Sequence, residues 1–185
     1  MSKFLDGHLL IATPAITDER FIKSVIFLCS HDYDHAMGLI INKINPQINF
    51  NNICEQMNIK DPRFNKERLI HIGGPMDNSR GFVLHTSDHI LPETKIIGQD
   101  FGMTCSVDII KELASGGGPE KSIVTVGYAG WYAGQLEVEL KQNSWLTINA
   151  QKDIVFNSEI DDLWNYALST LGISPSQLSG NFGSA

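Results

Sequence analysis

The chain has 185 residues, 42% of them apolar and 19% charged, with 16 glycines, a composition that excludes fibrous, collagen-like and low-complexity classes. Fourteen Lys and Arg against 21 Asp and Glu give a formal charge of −7, which opposes attraction to phosphate backbones and to anionic membranes. A length of this order predicts one domain over residues 1–185, burying roughly 70% of its unfolded surface with no metal or disulfide staple.

The N-terminal residues Met1 to Gly7 mix Lys3 and Asp6 with no apolar core leading to a small-residue cleavage site, so no export signal is expected. A first strand is predicted over Leu9 to Ala12. Next come Ser24 to Ser30, the polar loop His31 to Ala36, and Met37 to Asn42, two β-branched and aromatic runs that read as a hairpin. Both arms are apolar on consecutive residues, which places the hairpin at the centre of a sheet covered on both faces. The longest apolar run, Val25 to Cys29, is far short of the about 20 residues a membrane-spanning helix needs. A helix is predicted over Asn49 to Met57, followed by the basic cluster Lys60, Arg63, Lys66 and Arg68, whose interruption by Asp61 and Glu67 reads as a solvated loop.

Strands are predicted at Leu69 to Ile72 and Gly81 to His85, flanking the glycine turn Gly73 to Gly81 with Arg80 in it. A helix over Ser106 to Ala114 stops at the Gly116-Gly117-Gly118-Pro119 run, and a strand over Ser122 to Tyr128 leads into a second glycine-rich segment, Gly127 to Glu137. Glycines there remove side-chain bulk where a backbone must approach a ligand or simply another strand. Gln135 to Gln142 is compatible with strand or helix, short strands are expected at Leu146 to Asn149 and Ile154 to Phe156, and Glu159 to Leu171 reads as a helix burying Trp164. Isolated helices among strands, without regular βαβ alternation, indicate an α+β or irregular α/β sandwich.

Three cysteines, Cys29, Cys54 and Cys105, form no C-x-x-C pair and are expected to be buried apolar residues in a reducing cytoplasm. His31-Asp32-Tyr33-Asp34-His35 crowds metal-type ligands into one loop but lacks calcium-loop or zinc-peptidase spacing, so no metal is expected. The chain also lacks a G-x-S-x-G elbow and a Walker loop, and no cofactor is assigned. His31 and His85 supply acid–base groups, though a strand histidine such as His85 is more often structural.

Taken in order, Gly7 to Pro14, Asp18 to Cys29 with His31, Ala36 to Lys43, Gly73-Gly74-Pro75, Arg80 to His85 and Gly127 to Glu137 resemble the YqgE/AlgH family of bacterial proteins. The resemblance implies a cytoplasmic α/β protein whose central bifurcated sheet folds into a pseudo-barrel with flanking helices, with Gln135 to Gln142 helical. It implies no reaction; one member, AlgH, has been proposed as a regulator of alginate genes. His35 stands where the family usually has Gly, and Ser30 where Glu is usual.

Two functional expectations follow. The first is a non-enzymatic regulatory or adaptor module acting through a protein partner, without direct sequence-specific DNA binding. The second is a small-molecule sensor or enzyme with a cleft near His31, Arg80, His85 and Trp131. In either case Gly74 and Gly130 mark the two glycine segments, which are expected to meet at one end of the sheet with Arg80 as an anion clamp and Trp131 as a stacking wall.

Overall fold

Alternate residues of the early strands point to opposite faces, and both faces are apolar. In the computed structural model, which describes residues 4–60, 68–157 and 159–179, Leu9 and Ile11 of β1 (His8–Ala12) and Val25, Phe27 and Cys29 of β2 (Val25–His31) join one core cluster. Leu10 and Ala12, with Ile26 and Leu28, join another on the reverse face. The period of two along a strand turns an unbroken apolar run into two half-cores.

β3 (His35–Ile40) completes the hairpin with β2, with a bulge between Leu28 and Ser30. The remaining strands are β4 (Ile70–Ile72), β5 (Met76–Thr86), β6 (Lys95–Ile97), β7 (Phe101–Thr104), β8 (Ser122–Tyr132) and β9 (Trp145–Asn149). Their order is β6-β7-β5-β8-β3-β2-β1-β9, with β4 on β8; that β4–β8 pairing is parallel and the others are antiparallel. The sheet curls into a half-barrel flanked by helices. On the face formed by Leu9, Phe27 and Phe82, α4 (Lys152–Asn157) and α5 (Leu163–Thr170) contribute Ile154, Val155, Leu163, Trp164, Ala167 and Leu168. On the reverse face α3 (Gln135–Lys141) contributes Leu136 beside Trp131 and Trp145. A third cluster holds α1 (Phe50–Gln56) and α2 (Val107–Ser115) against Ile70, Val83 and Val124. A sixth short helix, Pro175–Ser179, follows.

β8 is the branch point. Its residues 122–126, and Tyr128 beyond the bulge, pair with β5, and residues 124–126 also with β4, whereas residues 129–132 pair with β3. At the break in the β5 pairing Gly127 adopts φ +75°, a left-handed conformation that costs a non-glycine residue roughly 1–2 kcal/mol. A Cβ on Gly127 would lie 2.5 Å from the Gly74 carbonyl oxygen, and one on Gly73 would lie 2.2 Å from the Gly127 carbonyl oxygen. The two glycine segments therefore touch backbone to backbone.

Several sequence expectations are corrected. The segment from Gly127 does not end the strand: β8 continues through Tyr132, because Gly127 supplies a kink and not a stop. Likewise the first glycine turn is confined to Gly73–Pro75, since Met76–Arg80 already belong to β5, bulged between Met76 and Gly81. The expected strand at Ile154 to Phe156 is part of α4; burial of Ile154 and Val155 against the sheet overrides their β-branched preference. Glu159 to Leu171 is not one helix but a 3-10 turn, Ile160–Asp162, followed by α5. Arg63 and Lys66 lie outside the described residues, and Arg68 is not solvated as expected: its guanidinium lies 5.6 Å from the Phe50 ring centre and donates to Ser122 Oγ at 2.6 Å. Cys29 and Cys54 are buried, but Cys105, expected in the core, is exposed.

Candidate functional site

The kink in β8 and the bulge in β5 open a cleft of about 450 Å³ between the two branches. From β5 come Met76, Arg80 and Phe82; from β8 Tyr128, Gly130, Trp131 and Tyr132; from β3 His35, Ala36 and Met37. The short β6–β7 hairpin adds Lys95 and Met103, with Cys105 just beyond it.

The floor is apolar and ordered by ring contacts. Phe82 meets Tyr128 edge to face at 5.8 Å between ring centres, and the Arg80 guanidinium lies 5.3 Å from the Phe82 ring centre. This contact holds the guanidinium at the mouth. Its one hydrogen bond among the described residues is from Nη2 to Cys105 Sγ at 3.5 Å, which leaves most of its donors unused. The Lys95 ammonium has no hydrogen-bond or ion-pair partner among the described residues, and Lys95 lines the same cleft. His35 is exposed and its Nδ1 lies 3.0 Å from Asp32 Oδ1. No Asp, Glu, Asn or Gln lines the cleft, so the charged groups on its wall are all basic in a chain of net charge −7.

The expected group of four does not converge. Arg80 and Trp131 share this cleft, with Gly130 between Ala129 and Trp131 on its wall. Trp131 is only 5% exposed, however, and its indole N–H donates to Glu139 Oε2 at 2.8 Å, so its ring is committed to the core and the accessible aromatic at the rim is Tyr132, 83% exposed. His31 is buried elsewhere: its Nδ1 accepts from the Leu5 N–H at 3.0 Å and its Nε2 lies 3.1 Å from Glu137 Oε1. His85 is fully buried; Nδ1–H donates to the Thr86 carbonyl and Nε2 accepts from the Thr104 hydroxyl, both at 2.8 Å. Burial pushes its pKa below the ordinary histidine value. His31 ties β2 to the N-terminal segment and to α3, His85 ties β5 to β7, and neither lines the cleft. Gly74 does not line it either, but its backbone abuts Tyr128 and Ala129 and supports that wall.

Of the lining residues only Arg80, Gly130 and Trp131 were singled out as site residues from the sequence; those that were not include Met37, Met76, Met103, Lys95 and Cys105. The last three sit on or beside two strands of three and four residues, too short for a periodic signal. His35 stood out by its composition and lies at the rim. Among the described residues no group of three or more His, Cys, Asp or Glu could hold a metal ion.

Two other hollows differ chemically. One, on the far side of Met76 and Trp131, contains Asp18 and Arg20, which neutralise each other at 2.6 Å; the Arg20 contact holds the Asp18 carboxyl below its usual pKa. Another is lined by Arg68, His71 and Ser122; His71 is 5% exposed, its Nδ1 has no hydrogen-bond partner, and burial depresses its pKa.

A family model described as AlgH-like matches residues 9–176. The chain is 42% identical over 182 residues to a UPF0301 protein from Cereibacter sphaeroides, covering 98% of this chain and 99% of the relative. It is 39% identical over 189 residues to a UPF0301 protein from Brucella ovis, covering 98% and 94%. Among solved structures, the solution structure of the AlgH protein from Pseudomonas aeruginosa superposes with a TM-score of 0.82 at 37% identity, covering 100% of this chain and 98% of that one. A crystal structure of a protein from Corynebacterium diphtheriae shares the fold at a TM-score of 0.76 and 18% identity, covering 96% and 93%.

Proposed function

The chain belongs to the AlgH-like family, and from that premise we propose that it is a non-enzymatic regulatory module that responds to a small molecule held in the cleft between β3, β5, β7 and β8. The observation that carries this reading is the convergence of Arg80, Lys95 and His35 on an apolar, half-open cavity of about 450 Å³. That volume lies within the roughly 300–1,000 Å³ usual for small-molecule sites. In this reading Arg80 contacts the ligand, Trp131 and Gly130 shape the wall, Gly74 braces it, His31 anchors the N-terminal segment and α3 to β2, and His85 joins β5 to β7. The commitment of both histidines to backbone and side-chain partners supports a binding role over acid–base catalysis.

The expectation of a protein partner is retained as the output of the module. Met76, 44% exposed, and Tyr132, 83% exposed, stand at the cleft rim, where a partner would distinguish the filled cleft from the empty one. Direct recognition of duplex DNA is disfavoured by the charge of −7. Among the described residues no helix is long and apolar enough to cross a membrane, and three unpaired thiols favour a reducing compartment such as the cytoplasm.

A thermal-shift screen of a chemically broad ligand library against the protein and Arg80→Ala tests this reading. A ligand at about 100 times its dissociation constant adds about 2.7 kcal/mol, or roughly 5–10 °C for a chain of this size. Hits that stabilise the parent chain and lose their effect in Arg80→Ala are expected; a library that shifts neither protein, or both equally, overturns it.

A further inference from the structure

The charge pattern and the floor of the cleft together restrict its ligand more than its volume does. Resting on the reading that the cleft binds a small molecule, we infer that the occupant is an anionic amphiphile: one carboxylate or similar anion held between Arg80 and Lys95, with an unbranched apolar body on the floor of Met37, Met103 and Phe82.

The anion follows from unspent cations. The Lys95 ammonium has no hydrogen-bond or ion-pair partner among the described residues, and Arg80 offers one N–H to Cys105 Sγ and rests on Phe82. A guanidinium fixed on a ring presents its remaining donors in the fork that suits a carboxylate. With 21 acidic side chains in the protein, the nearest means of neutralising these cations would be a carboxylate on the wall, and none lines the cleft. Asp77, close enough to Arg80 to interact electrostatically, is exposed, accepts the Ser79 hydroxyl at 2.8 Å and does not line the cavity.

The apolar body follows from what the floor lacks. A nucleobase carries donors and acceptors around its edge, and burying them unpaired costs roughly 1–3 kcal/mol each. The polar side chains on the wall, Ser30, His35, Arg80, Lys95, Tyr128 and Tyr132, include no amide or carboxylate, and the two-pronged amide that pairs a donor and an acceptor along one base edge is therefore missing. Met37, Met76 and Met103 supply three of the chain's five methionines to this one surface. Thioether side chains are flexible and adapt to chains of varying shape, and Met37, Met103 and Tyr128 pack directly onto the main core cluster. An apolar chain lying on them would extend that cluster outward.

Isothermal titration with four probes tests the inference: decanoate, 1-decanol, inorganic phosphate and adenosine monophosphate. Decanoate is expected to bind, decanol at least about tenfold more weakly, and the other two not measurably. Arg80→Ala and Lys95→Ala, both at exposed positions, should each weaken decanoate about tenfold, and the double variant should bring it to the decanol level. Equal binding of decanol and decanoate, or decanoate binding untouched by both substitutions, overturns the inference. So does tighter binding of phosphate or adenosine monophosphate. Co-sedimentation with phosphatidylglycerol vesicles distinguishes a free amphiphile from a bilayer; no pelleting is expected of a chain with net charge −7, and pelleting that depends on Arg80 overturns the free-ligand form. If the library screen yields an Arg80-dependent hit while decanoate fails, the amphiphile assignment falls and the binding module stands; if neither yields one, both fall.

Discussion

Trp131 and Trp145 donate their indole N–H groups to the same oxygen, Glu139 Oε2, at 2.8 and 2.7 Å, with their rings 6.0 Å apart and crossed at 81°. One carboxylate on α3 thereby clamps β8 to β9, strands that lie apart in the sheet order. Glu139→Ala would leave two largely buried donors unpaired, and urea denaturation is expected to show a loss of about 2–4 kcal/mol. Glu139→Gln keeps an acceptor but loses the charge assistance, so its loss should be roughly half as large.

Gly127 has no tolerance for a methyl group. Its φ of +75° and the 2.5 Å approach that a Cβ would make to the Gly74 carbonyl oxygen act together, so Gly127→Ala should destabilise by at least about 2 kcal/mol. Gly134→Ala is the control: φ is +74° there but nothing lies within 4 Å of its added Cβ, so only the conformational penalty applies. Equal effects in thermal melts would show that the backbone contact between the glycine segments contributes nothing.

Buried His85 makes the fold sensitive to acid. Burial depresses its native pKa, so the unfolded chain takes up a proton first, at about pH 6.5. Stability is therefore complete above that value and declines as pH falls below it; His71 acts in the same direction. His85→Gln should be less stable than the parent at pH 8 but show a shallower decline between about pH 6.5 and 5 in pH-dependent denaturation. An unchanged slope would remove His85 as a source of the acid sensitivity.

Thiol labelling should separate the cysteines sharply. Cys105 is exposed beside Arg80, whereas Cys29 has no exposed surface and burial pushes its pKa up to about 12. Cys54 is 1% exposed. In the native protein an aromatic disulfide reagent is expected to modify Cys105 at least about tenfold faster than either buried thiol, since the reactive species is an accessible thiolate. Mapping by mass spectrometry checks the assignment.

Much of the fold was legible because β1, β2 and β3 bury both faces, and consecutive apolar residues record that directly. The buried stripe of α5 was equally plain. Ile154 and Val155 were misread because three residues carry no period, and only the sheet beneath them decides between strand and helix. Of the cleft lining, Arg80 and the segment that follows Gly127 stand out by composition. The role of Trp131 does not: its partner Glu139 lies eight residues on, and a sequence does not show that an aromatic next to glycines has its N–H already satisfied. Lys95 and Met103 were invisible because the hairpin that brings them to the cleft exists only through pairing with β5.

Because one strand belongs to both branches of the sheet, neither branch has a complete hydrogen-bond ladder without it. Fraying that frees the first half of β8 strips β5 and β4 of their shared neighbour; fraying of the second half uncovers β3. The two halves are thus joined as a cooperative unit, and the slowest amide hydrogen exchange should fall on both sides of Gly127, in Val124–Val126 and Ala129–Trp131, with matching opening free energies. Exchange at two well-separated rates across that glycine would mean that the branches open independently.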